Sequence, residues 1–116
     1  MSIIGIEITI SDKGVATYSS SSKQVASDGT ITIVEGDDAT ITFAPASGQT
    51  WQFQSPWITI VPNTPGVDDV TVSSTGAAAI TIIDNNPTDT KASAYTYTLQ
   101  TTVGVLDPAI LNKGRR

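Results

Sequence analysis

The sequence predicts an all-β protein that folds as a single antiparallel two-sheet sandwich. The 116 residues include 18 Thr, 14 Ile and 9 Val but only 3 Leu. β-Branched residues of this kind favour strands over helices because their χ1 angles are restricted. Apolar residues also alternate with polar ones, as at Ile4, Ile6, Ile8 and Ile10, which is the period of a strand with one buried face. Turn residues separate such runs at intervals of roughly 8 to 12 residues, as in sandwiches.

The alternating runs predict eight or nine short strands. They cover residues 3–11, 15–18, 31–34, 39–44, 51–54, 57–61, 70–73, 78–83 and 95–103. Residues 107–111 are the only candidate for a single helical turn. No repeat or linker divides the chain, so we expect one sandwich domain over residues 1–112, followed by a basic, solvent-exposed tail at 113–116.

The inward positions of these strands predict one hydrophobic core. Its expected members are Ile6, Ile8, Ile31, Ile33, Ile41, Phe43, Trp51, Phe53, Ile58, Ile60, Val70, Val72, Ile80, Ile82, Tyr97 and Leu99.

The charge distribution excludes one large class of partner. The chain carries 11 acidic and 6 basic residues, and three of the basic ones, Lys113, Arg115 and Arg116, lie in the last four positions. Residues 1–112 therefore hold 11 acidic groups against 3 basic ones, a net charge of −8. Because nucleic-acid binding requires a basic face, we expect no nucleic-acid partner.

The N-terminus lacks the features of a signal peptide. Its first positive charge is Lys13, and its isoleucines alternate instead of forming an apolar run. No segment approaches the roughly 20 apolar residues of a membrane-spanning helix. We therefore expect a cytoplasmic protein with no membrane partner, although a chain from which a leader had been removed would look the same.

The chain contains no His and no Cys, which removes imidazole and thiolate chemistry. We predict no catalytic residue and no cofactor, since nucleophilic catalysis and transition-metal binding depend largely on those side chains. The remaining metal hypothesis is calcium, which takes oxygen ligands. The candidate ligands in the segment "DNNPTD" are Asp84, Asn85, Asn86 and Asp89. A plain turn is the favoured interpretation, because Asp and Asn bond to the local backbone in turns.

The two tryptophans are the best candidates for contact with a ligand or partner. Trp51 alternates with Phe53, which favours a core role for both. Trp57 is out of phase with Ile58 and Ile60 and so can lie on the opposite face. An exposed Trp near Gln52 and Gln54 would suit sugar stacking or protein docking.

Two stretches of the sequence, residues 32–45 and residues 94–99, resemble parts of the copper-binding cupredoxins. The segment "TIVEGDDATITFAP", residues 32–45, joins two alternating strands through Gly-Asp-Asp, and "AYTYTL" places Tyr95 and Tyr97 on a late strand. The resemblance implies a cupredoxin-like sandwich. Leu99 stands where such a protein carries its copper thiolate, so the copper ligands are missing. An immunoglobulin-like sandwich fits the same pattern, and a jelly roll is the alternative.

The C-terminal segment "AYTYTLQTTVGVLDPAILNKG" resembles the small bacterial DP-EP family. Asp107-Pro108 matches the first of the two dipeptides for which that family is named, while no Glu-Pro occurs in this chain. The resemblance implies a bacterial β-sandwich without an assigned activity.

These observations favour a non-enzymatic structural or protein-interaction module that self-associates. Sheet edges must be covered, charged or paired, and the strands at 3–10 and 95–103 carry few charges. We expect a homo-oligomer that forms through such an edge. The alternative is a module that binds carbohydrate or another small ligand through Trp57 or Trp51.

Overall fold

The computed structural model describes residues 2–33, 38–62, 70–85, 93–106 and 109–112. Within these ranges the chain forms β-strands and no helix. The strands are β1 (Ser2–Ile10), β2 (Ala16–Ser19), β3 (Ile31–Ile33), β4 (Asp38–Pro45), β5 (Phe53–Pro62), β6 (Val70–Ser74), β7 (Ile80–Asn85), β8 (Ser93–Thr101), β9 (Gly104–Leu106) and β10 (Ala109–Asn112). The predicted all-β class is confirmed.

The strands form two sheets. The first has the order β2-β1-β4-β7-β6, and the second has the order β3-β10-β8-β5, with β9 also paired to β8. Alternate side chains of each sheet enter one shared core, which confirms the two-sheet sandwich.

Most strand pairs are antiparallel, as predicted, but β1–β4 and β10–β3 are parallel. The chain explains the first exception. After the hairpin β1–β2 it crosses to the second sheet as β3, then returns to the first sheet as β4 beside β1. Parallel neighbours require such a crossover, whereas a tight hairpin joins only antiparallel ones.

The core follows the predicted alternation, with five further members, Ile4, Tyr18, Ala39, Tyr95 and Leu106, and three predicted members that are not fully buried. All predicted members are buried except Ile58, Ile60 and Val72. Ile58 and Ile60 are only partly buried, and Val72 is 46% exposed. All three lie on β5 or β6, which are edge strands with a neighbour on one side only. Tyr97 stacks at a tilt on Phe43 across the core, with ring centroids 5.1 Å apart.

Two local predictions are corrected by the strand pairing. The separate strands expected at 51–54 and 57–61 are largely one strand, β5, which contains an irregularity between Phe53 and Ile58. The helical turn expected at 107–111 is wrong, because Ala109–Asn112 form β10. That strand pairs with β3 on one side and β8 on the other, and this pairing on both edges favours an extended backbone.

One lateral side of the sandwich is covered by a loop. Residues 20–30, here called the covering loop, connect β2 of the first sheet to β3 of the second. The Tyr18 amide of β2 donates to the Ser27 carbonyl at 3.1 Å, and the Thr32 amide of β3 donates to the Gln24 carbonyl at 2.8 Å. The Gln24 side-chain amide donates back to the Thr32 carbonyl at 3.2 Å. The outer edges of β2 and β3 are therefore hydrogen-bonded, and we call this the covered side.

The opposite lateral side, formed by β5 and β6, is the open side. Among the described residues, no strand pairs with the outer edge of either one. The Phe53 amide donates to the Ala77 carbonyl at 3.0 Å, which ties the start of β5 to the turn before β7. The expectation that the strands at 3–10 and 95–103 form sheet edges is wrong: β1 lies between β2 and β4, and β8 lies between β10 and β5.

Candidate functional site

Trp51 is a core residue. Its side chain is 5% exposed and meets Phe53 edge to face, with ring centroids 5.2 Å apart and planes at 84°. The indole Nε1 donates to the Gln49 Oε1 at 2.9 Å. This burial removes Trp51 as an open stacking platform, although the residue still lines a cleft described below.

Trp57 lies in the irregular part of β5. Phe53 pairs with Thr101 and Ile58 with Leu99, so β5 advances five residues while β8 advances two. The extra residues form a bulge, within which Trp57 has a φ of 72°. Bulky residues rarely adopt this left-handed conformation, and such outliers often occur at functional positions. The Trp57 side chain is partly buried and packs against the core.

The predicted contact residues do not converge on one surface. Gln52 and Gln54 are both exposed, while the intervening Phe53 and the preceding Trp51 are buried. Strand alternation therefore directs both glutamines away from Trp51. Gln54 shares the bulge with Trp57, so these two remain candidates for contact with a partner at the open side.

The proposed calcium ligands are placed only in part. Asp84, expected in a turn, lies in β7 and is fully buried, opposite Ala39 of β4 and Val70 of β6. Asn85 follows it on the same strand and is exposed. Consecutive strand residues point to opposite faces, so these two side chains do not converge on one ion. Asn86 and Asp89 lie outside the described residues.

The open side has an apolar and uncharged border. Between Pro56 and Pro62, β5 reads Trp-Ile-Thr-Ile-Val, and β6 reads Val-Thr-Val-Ser-Ser. Neither stretch contains a charged residue. Val61 is 49% exposed and Val72 is 46% exposed, while Ile58 and Ile60 are only partly covered by the core.

A cleft at one end of the sandwich was missed by sequence reasoning. This end cleft has a volume of about 380 Å³, and its lining includes Ile10, Asp12, Gln49, Thr50, Trp51 and Val103. Its walls are the turns after β1 and β4. Each turn contains a glycine with positive φ, Gly14 at 81° and Gly48 at 86°. The segments "SDKG" and "ASGQ" signalled these turns, but nothing in the sequence placed them side by side.

A second depression of about 410 Å³ lies on the first sheet. Its lining includes Gly5, Ser20 and Thr42. The Ser20 hydroxyl donates to the Gly5 carbonyl at 2.6 Å, and the Thr42 and Thr81 hydroxyl oxygens lie 3.1 Å apart. These polar groups are thus engaged with one another.

Two side chains on the covered side, those of Tyr97 and Asp28, have shifted pKa values. Burial raises the pKa of Tyr97 above its ordinary value, and its hydroxyl donates to the Gly29 carbonyl of the covering loop at 2.8 Å. The Thr30 amide donates to the Asp28 carboxylate at 2.9 Å, and this hydrogen bond lowers the pKa of Asp28. Both groups hold the covering loop in place.

Comparison with known proteins assigns no family: no family model matches the chain, and no curated protein matches it. The described residues contain no group of three acidic side chains that could hold a metal ion. In the same part of the chain, the structure has no helix with the length and apolar character of a membrane span.

Proposed function

We propose that this protein is a non-enzymatic interaction module that self-associates through the outer edge of β5. The observation that carries the proposal is the contrast between the two lateral sides. The edges of β2 and β3 are hydrogen-bonded by the covering loop, whereas β5 and β6 have no strand neighbour outside them among the described residues. An unpaired edge is a template for another strand.

Charge supports a second copy as the occupant. The chain has a net charge of −5, so two copies repel each other over most of their surfaces. The segment of β5 between Pro56 and Pro62 has no charged residue and consists of β-branched and aromatic side chains. This edge therefore permits close approach of two copies without placing like charges opposite each other.

The sequence of β5 is also self-complementary. A twofold axis through Thr59 in an antiparallel pair sets Ile58 against the partner's Ile60, and Trp57 against the partner's Val61. If the axis passed between two residues, an inward-facing side chain would lie opposite an outward-facing one. A continuous sheet does not allow this, because directly opposed residues have their side chains on the same face. Pro56 and Pro62 then meet at the ends, where their missing amides stop further pairing.

This contact produces a dimer and not a longer assembly. A twofold interface uses the same edge from both copies, so no β5 edge is left for a third copy. Ile58 and Ile60, which the core covers only in part, gain cover from the partner. We expect a dimer with a micromolar dissociation constant, because a contact centred on a single edge is small.

The test replaces the residue on the twofold axis. In Thr59→Lys, two lysines face each other across the axis, and like charges directly opposite destabilise strand pairing. Thr71→Lys is the matched control, since Thr71 is also an exposed threonine on an open-side edge strand, β6. Sedimentation velocity from about 5 to about 500 µM protein brackets the expected dissociation constant.

We expect the wild type and Thr71→Lys to approach twice the 12.1 kDa chain mass as concentration rises. We expect Thr59→Lys to remain a monomer with an unchanged melting temperature. A wild type that stays monomeric throughout would overturn the proposal. Dissociation by Thr71→Lys instead of Thr59→Lys would also overturn it, by assigning the contact to β6.

A further inference from the structure

The end cleft contains a fixed hydrogen-bonding group that the edge contact does not use. The Gln49 Oε1 accepts from the Ile10 amide at 2.8 Å and from the Trp51 Nε1 at 2.9 Å. Both partners are N–H donors, so the orientation of this side-chain amide is determined: its oxygen points to them and its nitrogen points away. The side chain of Gln49 is consequently held in one position.

The amide nitrogen of Gln49 has hydrogen-bonding capacity to spare. Its two N–H groups donate to no atom of the described residues. Gln49 lines the cleft and is partly exposed, while its oxygen is fully engaged. The accessible part of the side chain is therefore a pair of preorganised donors.

The other groups in the cleft restrict the ligand further. The exposed Asp12 carboxylate is an acceptor and repels anions. An ammonium group cannot bind directly to the Gln49 N–H groups, because it has no lone pair with which to accept a hydrogen bond. Ile10, Val103 and Trp51 add apolar contacts. A neutral ligand with donors and acceptors on a partly apolar body satisfies all of these groups.

We propose that the end cleft binds a neutral polyhydroxylated ligand of monosaccharide size. Each hydroxyl both donates and accepts, so one hydroxyl can accept from the Gln49 Nε2 while a neighbouring one donates to Asp12. The cleft volume of about 380 Å³ is within the usual range for small-molecule sites. Because Trp51 is buried and offers no open stacking face, the expected affinity is millimolar.

The cleft includes no residue of the β5 pairing segment, Ile58–Val61. Ligand binding and edge pairing can therefore succeed or fail separately. The readout is the indole N–H resonance of Trp51 in ¹H–¹⁵N correlation spectra of the full chain, since this group donates to Gln49. The indole resonance of Trp57, which does not line the cleft, is the internal reference.

The probes are glucose, galactose, mannose and xylose, with tetramethylammonium chloride and sodium acetate as the charged alternatives. We expect at least one sugar to shift the Trp51 resonance in a saturable way below about 100 mM, while the Trp57 resonance stays in place. No saturable shift with any of the four sugars would overturn the proposal. A stronger response to either salt would also overturn it.

Two variants locate the interaction. Gln49→Glu keeps an oxygen for the Ile10 and Trp51 donors but replaces the free N–H groups with an acceptor. We expect it to weaken sugar binding by at least about tenfold. Gln52→Glu introduces the same charge on an exposed side chain outside the cleft and should leave the affinity unchanged. Equal binding by both variants would contradict the assignment, and the wild-type titration remains decisive if Gln49→Glu does not fold.

Discussion

The two lateral sides of this sandwich differ in how the outer backbone groups of their edge strands are bonded. On the covered side, two short strands, β2 and β3, bond to the backbone of a loop that crosses from one sheet to the other. On the open side, the ten-residue strand β5 has two prolines and a bulge but no such loop among the described residues. Prolines and bulges limit edge pairing without removing it. This difference is the basis of the proposal that a second copy pairs with the open side.

Two isoleucines, one from each lateral side, show the difference in burial most clearly. Ile31 of β3 is fully buried at the covered side, and Ile60 of β5 is partly buried at the open side. We expect Ile31→Ala to lower the free energy of unfolding by about 2 to 5 kcal/mol, because it leaves a cavity in a packed core. Ile60→Ala should cost about 1 kcal/mol, since that side chain already meets solvent.

Urea unfolding at a protein concentration well below the dissociation constant of the dimer measures both variants without a contribution from association. If both variants lost the same free energy of unfolding, the two sides would be equally well packed, and the proposed difference between them would be wrong.

The next largest effect concerns the anchor of the covering loop. Tyr97→Phe removes the hydroxyl that donates to the buried Gly29 carbonyl at 2.8 Å. We expect a loss of about 1 to 3 kcal/mol, the usual cost of a buried acceptor left without its partner. Faster exchange of amides in residues 20–30, with unchanged exchange in β5, would place the loss on the covered side. A uniform change over both sides would argue against a local anchor.

The same side chain predicts an alkaline transition. Burial raises the pKa of Tyr97 in the folded state above its ordinary value of 10.0. The unfolded chain therefore releases this proton first, so the contribution of Tyr97 to stability is complete below about pH 10 and is lost as pH rises further. Unfolding free energies measured from pH 8 to pH 12 should fall less steeply in Tyr97→Phe than in the wild type. Identical slopes would show that Tyr97 ionises freely.

The smallest expected effect is at Asp28, whose carboxylate accepts from the Thr30 amide in the covering loop. This hydrogen bond lowers the pKa of Asp28, so its contribution is present above the ordinary carboxyl pKa and is lost as pH falls through the folded-state value. We expect Asp28→Ala to melt slightly below the wild type at pH 7. The difference should disappear in strong acid, and a difference that persists there would assign the effect to something other than the charge.

Sequence periodicity predicted the sheets better than their edges. The alternation in β1, β4, β7 and β8 identified most of the core residues on these four strands, because burial on one face imposes a period of two. Which strand lies beside which depends on contacts between distant parts of the chain, so the interior positions of β1 and β8 could not be read locally. The helical turn expected at 107–111 failed for the same reason, since β10 is held by its neighbours on both sides.

The candidate sites were less predictable than the core. Trp51 was correctly favoured as a core residue, and its alternation with Phe53 was sufficient evidence. The bulge that separates Trp57 from the regular part of β5 was not apparent from Pro56 alone. The end cleft combines residues from the turns after β1 and β4 with Val103, and only the folded chain brings them together.

Hydrogen exchange as a function of protein concentration tests the contrast between the two sides most directly. The outward amides of Ile58–Val61 should exchange quickly in dilute protein and become protected as concentration rises. The amides of Tyr18 and Thr32, already bonded to the covering loop, should show the same protection at every concentration. Protection that rises elsewhere while Ile58–Val61 stay unchanged would contradict the account, as would exchange that is independent of concentration throughout the chain.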